Sequence, residues 1–245
     1  MSEQVADRLE AAAGTGARFL EIGVGTGRIA PPLYGRGRRI VGLDLSIPML
    51  ERYRAKAASS GLAPPPVMRA DATRLPVRDA CVDAVIEVHV VHLVEGWRQA
   101  LAEVRRVLAP GGVVLVARRI RERSEGRGPR ALARERHAAI LAEMGVRSER
   151  IGAGTDHEVI GAFTDLGGRV EGLEPVAWRD EETWAECLGI LEQRVWSDAW
   201  NIPEAVWHEG MRRLRAELDA EGVDLHAPVS TMRHFEMAAI RFQRV

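Results

Sequence analysis

The sequence predicts an α/β fold: a doubly wound, mostly parallel sheet with helices on both faces and a helical cap in the C-terminal half. Three observations point there. From Ala17 to Arg119, short Val/Ile/Leu runs alternate with amphipathic stretches, the pattern of parallel strands covered on both faces. Three glycines stand at alternate positions directly after the first apolar run, in FLEIGVGTGRI, Phe19 to Ile29. Acids follow the first three strands, and in open sheets of this kind ligands bind at the carboxyl ends of the strands, near the switch in strand order.

Each element has its own signal. FLEIGV (19–24) reads as the first strand, with a helix from Gly27 towards Tyr34. IVGLDL (40–45) is the second strand; Ser46 can cap a helix through about Ser59, with Pro48 tolerated in its first turn. VMRAD (67–71) is the third strand and VDAVIEVHV (82–90) the fourth. Trp97, Leu101, Val104 and Leu108 fall at i, i+4, i+7 and i+11, one face of a helix. Pro110-Gly111-Gly112 should stop that helix before the fifth strand, VVLVAR (113–118).

Beyond Arg119 the character changes. RRIRERSEGRGPRALARER reads as a connection with interleaved glutamates, entering a helix near Pro129 to Met144; a solvated face explains it better than a phosphate or nucleic-acid patch. Two more helices are expected. One carries Trp184, Leu188, Leu191, Val195 and Ala199 on a face, and the other starts at Pro203 with Trp207, Met211, Leu214 and Leu218. The last stretch, VSTMRHFEMAAIRFQRV, should return to the sheet as an edge strand. The expected divisions are a cofactor-binding core over 1–119, a helical cap with an intervening strand over 120–222, and a return strand over 223–245.

The totals narrow the function. With 34 Lys+Arg against 35 Asp+Glu, net charge −1, nothing in the whole-molecule charge argues for nucleic acid or an anionic membrane. Lys56 is the only lysine, read here as the compositional bias of a GC-rich genome. Cys81 and Cys187 lie far apart without metal-ligand spacing, so a reducing compartment is the default and no metal is expected. The N-terminus is charged and has no apolar core of a secretory signal, and no run approaches a membrane span. A cytoplasmic protein is expected.

Two ligands compete for EIGVGTG. A dinucleotide fingerprint needs its third glycine three places after the second; that place holds Arg28, and the glycine comes one residue early, at Gly27. A site for S-adenosylmethionine has no pyrophosphate to cradle and needs backbone close to an amino-acid moiety and a ribose. The offset favours the second. Asp44, ending the second strand, can accept from both ribose hydroxyls in either case.

Five pieces in order, FLEIGVGTGRI, GLDLSIPMLE, ADATRLPV, VDAVIEVHVVHLV and EVRRVLAPGGVVLVA, resemble the class I S-adenosylmethionine-dependent methyltransferases. They are most similar to the small-molecule branch that includes the ubiquinone and menaquinone biosynthesis enzymes, and they cover roughly residues 17–119. The resemblance implies a Rossmann-like core that binds S-adenosylmethionine and releases S-adenosylhomocysteine. It implies that Gly23, Gly25 and Gly27 wrap the methionine part and Glu21 orients it. Asp44 would hold the ribose, with Leu45 and Met49 beside the adenine. Asp71 would accept from the adenine amino group, with the Ala72 backbone along the ring edge. Glu87, Val88 and His89 would face the methionine end and the acceptor.

The sulfonium of this cofactor is already a strong electrophile, so holding the acceptor in line does most of the chemistry, worth up to about 7–11 kcal/mol. A base is needed only when the acceptor must lose a proton, and His89 and His92 are the candidates at the functional edge. Asp156, His157 and Glu158 read as a solvated helix start. Trp196 and Trp200 are candidates to line an apolar acceptor pocket. Only about sixteen residues precede the first strand, so the pocket is expected to be open, completed by the cap or by the second subunit of a homodimer. The expected partner is a small-molecule methyl acceptor; the alternatives are an NAD-dependent oxidoreductase and a non-catalytic S-adenosylmethionine-binding regulator. Nucleic-acid methylation is disfavoured by the charge and by VHVVHL standing where an Asn/Asp-Pro-Pro-Tyr type motif would follow the fourth strand.

Overall fold

A computed structural model describes residues 2–59, 65–122, 127–146, 151–194, 199 and 201–243. The chain forms two compact units, one of Met1–Arg119, Arg150–Val176 and Phe235–Val245, the other of Ile120–Glu149 and Ala177–His234.

Within the first unit, β1 (Arg18–Ile22) is an interior strand flanked on both sides, and four of its five residues are buried. β2 (Arg39–Asp44) runs parallel on one side, with Glu21 opposite Gly42. β4 (Val82–Val88) runs parallel on the other, with Glu21 opposite Ile86 and Ile22 opposite Glu87. β3 (Val67–Arg69) extends the sheet beyond β2, and β5 (Leu108–Glu122) beyond β4. With β6 (Gly168–Glu182) and β7 (Val229–Phe242), the strand order is β3-β2-β1-β4-β5-β7-β6. The chain builds outward from β1 to β3, then returns to place β4 against β1, so the switch point is the β1/β4 edge.

Three helices of this unit follow the sequence signals, and a further one, α1 (Ser2–Ala13), which the sequence reading did not include, buries Val5, Ala6 and Leu9. α2 is shorter than expected, Ala30–Gly35, and starts on two prolines. α3 (Ile47–Ser59) begins where Ser46 Oγ accepts the Met49 N–H at 3.4 Å. α4 (Trp97–Val107) turns its predicted stripe inward: Leu101 and Val104 are fully buried, packed with Leu20, Ile22, Val85 and Val114. Later, α6 (Asp156–Asp165) starts at a capping box in which Thr155 and Glu158 satisfy each other's backbone N–H. Glu158, one of the three polar residues at that start, is thereby engaged in helix capping.

Three strand expectations need correction. The third strand ends at Arg69, because Asp71 Oδ1 accepts both the N–H and the hydroxyl of Thr73, each at 2.8 Å, and turns the chain. The fifth begins at Leu108, before the Pro-Gly-Gly, through a register shift in which Val82 faces Leu108 but Ala84 faces Val113. The return strand, β7 (Val229–Phe242), is not at the edge: it lies between β5 and β6, and β6 (Gly168–Glu182) takes the edge. Met237 to Ile240 are buried on successive positions, the mark of a strand covered on both faces, whereas β6 is mostly exposed.

The second unit is built on α5 (Pro129–Glu143), α7 (Trp184–Glu192) and α8 (Glu204–Ala220). Trp184, Leu188, Leu191, Trp207, Met211, Leu214 and Leu218 form its core, as their spacing predicts. Thr183 and Glu186 make a second capping box at α7. That helix ends at Glu192; Val195, Trp196 and Trp200 lie outside the described residues. Arginines from the basic connection meet acids: Arg127 pairs with Glu135, Arg130 with Glu182, and Arg136 with Glu221 at 2.8 Å.

Candidate active site

The glycine loop opens where β1 runs out. Gly23, Gly25 and Gly27 have φ of +65°, +55° and +76°, backbone that side chains rarely adopt. Two of them are also pressed: a Cβ on Gly23 would lie 2.4 Å from Val90, and one on Gly27 would lie 2.4 Å from the Tyr53 ring. Gly25 differs. Its Cβ direction is open, with nothing closer than 4.0 Å, so a ligand can approach the backbone there.

Asp44, the last residue of β2, locks this loop. Its Oδ2 accepts the Gly25 N–H at 2.8 Å, and its Oδ1 accepts the Ser46 N–H at 2.8 Å. Each oxygen keeps a second lone pair, so a fixed carboxylate stands ready for a diol. Just beyond, Leu45 is 58 % exposed and Ile47 46 %, with Met49 half-buried on the first turn of α3. A leucine and an isoleucine presented to solvent beside a pre-set carboxylate form an apolar shelf suited to a flat ring. Asp71 lies exposed in the turn after β3. Its hydrogen bonds with Thr73 hold its carboxyl below the usual range, and both go to Oδ1. Ala72 beside it is half-buried.

Two glutamates end the adjacent strands β1 and β4, and both are 3 % exposed. Glu21 accepts the N–H of Ala30, while its Oε2 is buried without a partner. Burial pushes its carboxyl up to about 8, against the pull of that N–H and of the Arg28 charge. An acceptor of this kind fits an ammonium group. Glu87 Oε1 accepts the N–H of Val90 at 3.2 Å and of Val91 at 3.3 Å. Burial pushes it up to about 7; the two N–H groups oppose the shift and Asp156 adds to it.

Glu87 thereby shapes the segment after β4. Val88 is half-buried, and His89 takes φ +55°, costly for a residue with a side chain. A single 3-10 turn, Val91–Leu93, follows, with Val91 buried and His92 and Leu93 exposed. The chain from Gly152 to Ala153 docks on it: Gly152 N–H donates to His92 O at 3.1 Å and Ala153 N–H to Val91 O at 3.2 Å. A Cβ on Gly152 would fall 2.1 Å from Val91 O, so only glycine fits. Both histidines thus lie exposed at the carboxyl end of β4.

Three residues of this edge carried no functional signal in the sequence. Lys56, on α3, donates to Gly27 O at 2.9 Å and pins the end of the loop. Tyr53, one turn earlier, packs its ring under Gly27; its hydroxyl is buried without a partner among the described residues, and burial, with Glu21 nearby, pushes its titration well up. Val90 fills the space against Gly23. Tyr53 and Lys56 stand i and i+3 on a helix, a spacing also found in ordinary packing, and no sequence signal separates the two.

Comparison with known proteins now bears on the glycine loop. Residues 20–116 match a methyltransferase domain. A phosphatidylethanolamine N-methyltransferase of Cereibacter sphaeroides is 33% identical over 150 residues, 59% of this chain and 72% of that protein. The chain belongs to the S-adenosylmethionine-dependent methyltransferases. A demethylmenaquinone methyltransferase of Thermus thermophilus is 40% identical over 101 residues, but those residues are only 46% of its length. Among solved structures, a putative methyltransferase of Bacillus halodurans superposes with a TM-score of 0.60 at 16% identity, over 98% of both chains. Membership supplies the cofactor, S-adenosylmethionine, and the features of the edge fit it. Glu21 Oε2 is an orphaned acceptor, Gly25 leaves the approach open, and Asp44 has lone pairs to offer.

Proposed function

We propose that this methyltransferase moves the methyl group of S-adenosylmethionine to an oxygen, nitrogen or carbon of a small-molecule acceptor, at the carboxyl edge between β1 and β4. The observation that carries this reading is Asp44, held by Gly25 and Ser46 with lone pairs left over, facing a glycine loop open at Gly25. In this reading Asp44 takes the ribose hydroxyls, and Leu45 and Met49 lie along the adenine. Asp71 accepts from the adenine amino group through its unengaged Oδ2, beside the Ala72 backbone. Glu21 receives the ammonium of the methionine part as Gly23, Gly25 and Gly27 wrap it.

S-adenosylmethionine supplies an electrophilic methyl group. What the chain adds is orientation and the exclusion of water. Glu87 holds the turn that carries Val88 and His89 towards the methionine end. His89 and His92 hold the acceptor and take its proton where one must leave. Residues 120–222 are kept as the substrate region, with 223–245 as the return strand. The protein acts in the cytoplasm, on a small molecule rather than nucleic acid, and a homodimer is the assembly to test. The similarity to a phosphatidylethanolamine N-methyltransferase makes ethanolamine phospholipids the first acceptors to try, followed by quinone-like compounds.

Isothermal titration with S-adenosylhomocysteine, and NADH as control, tests this reading. Micromolar binding of the first alone is expected. Tighter binding of NADH would overturn it in favour of an oxidoreductase, and tight cofactor binding without transfer to any of a broad acceptor panel would favour a regulator.

A further inference from the structure

The amino-acid end of S-adenosylmethionine is a zwitterion, and Glu21 suits only its ammonium. The carboxylate needs N–H donors, and the backbone at the end of β1 has few to spare. Val24 N–H donates to Leu43 O at 2.9 Å, Gly25 N–H to Asp44 Oδ2 at 2.8 Å and Gly27 N–H to Val24 O at 3.0 Å. The start of α2, where a helix usually presents free N–H groups, is equally short of them. Ala30 N–H is taken by Glu21, and Pro31 and Pro32 have none to give. That shortage favours a side chain as the donor.

Arg28, next to the last glycine of the loop, has the features required. It is exposed and makes no ion pair among the described residues. Its guanidinium rests over the ring of the buried Phe235, 5.7 Å from the centroid, and an arginine on an aromatic face keeps its N–H fork available. It lies near enough for its charge to act on Glu21, without pairing with it. Two opposite charges that approach but do not pair leave a place for a zwitterion between them. The direction also fits. Asp44 ends β2, Glu21 is on β1, and Phe235 is on β7, beyond β4 and β5. A cofactor with its ribose on Asp44 and its ammonium on Glu21 would run its amino-acid end towards the side on which Arg28 lies. We propose that Arg28 binds the carboxylate of the cofactor, so that Glu21 and Arg28 together select a donor that keeps its whole α-amino-acid end.

This inference rests on the cofactor reading above, and the choice of ligands separates the two. Calorimetry measures binding of S-adenosylhomocysteine and of its decarboxylated counterpart, S-adenosylthiopropylamine, which keeps the adenosine and the ammonium but lacks the carboxylate. The wild-type protein should bind the first about 10–100-fold more tightly, the range for one charge-assisted contact. In Arg28→Met and in Arg28→Gln that preference should vanish, because S-adenosylhomocysteine weakens to the level of the amine while the amine binds as before. Three results would overturn the inference and leave the cofactor reading standing. They are no preference in the wild type, a preference that survives in both variants, and equal weakening of both ligands, the mark of an arginine that only shapes the loop. Binding of neither ligand to the wild type would overturn the cofactor reading and the inference together.

Discussion

Each unit of the chain buries a glutamate, and the two treat it in opposite ways. In the second unit Glu182 is surrounded by arginine: Arg233 and Arg130 both pair with it, and Arg233 also reaches Asp180 at 2.7 Å. In the first unit, Glu21 and Glu87 are equally buried and, among the described residues, are held by backbone N–H groups. Matching a buried charge with a buried countercharge makes an acid structural and fixes it in its ionised form. Leaving it without one pushes its titration up, as burial does for Glu21 and Glu87. The contrast separates acids matched by arginine from acids held by backbone N–H groups.

Breaking the matched pair should have the larger effect. Arg233→Ala leaves Glu182 and Asp180 facing each other without their shared guanidinium and should destabilise the protein by about 3–5 kcal/mol. Denaturant unfolding measures it, and a loss below about 1 kcal/mol would show that the cluster is solvated and that the contrast fails.

The unmatched pair gives a smaller effect with a defined sign. Both carboxyls titrate higher in the folded chain than in the unfolded one, where they sit near 4.5. From that value up to about 7 for Glu87 and about 8 for Glu21, the folded chain holds protons that the unfolded chain has released. Stability of the ligand-free protein therefore falls as pH rises through this window. The melting temperature should drop between pH 5 and pH 8, and Glu21→Gln or Glu87→Gln should each flatten the slope. A melting temperature that rises over the same range would contradict the burial argument.

Much of this was legible in the sequence, for a physical reason. Strand, glycine loop and acid at the end of β2 are local patterns: Gly23 and Gly27 are demanded by backbone that other residues avoid, and Asp44 closes an apolar run. The α4 and α8 stripes were readable because burial and helical period coincide in Leu101 and Val104, or Leu214 and Leu218. What escaped depends on contacts between distant segments. Lys56 looked like composition until its ammonium was seen on Gly27 O, 29 positions away. Tyr53 entered none of the patterns read from the sequence, because its role is a ring packed under Gly27, 26 positions away. The place of β7 was misjudged because strand order is a property of pairing; the unbroken MAAI run, Met237 to Ile240, was its one local sign of a position covered on both faces. Gly152, which closes on the turn after β4, is far from that turn in sequence and carries no motif.

The most direct measurement is the affinity of Asp44→Ala for S-adenosylhomocysteine, read by calorimetry beside its thermal unfolding. If the β1/β4 edge holds the cofactor, losing a carboxylate that accepts from the ribose should weaken binding about 10–100-fold while the fold melts as a single folded protein close to wild type. Unchanged affinity would place the cofactor elsewhere and contradict the account of this edge.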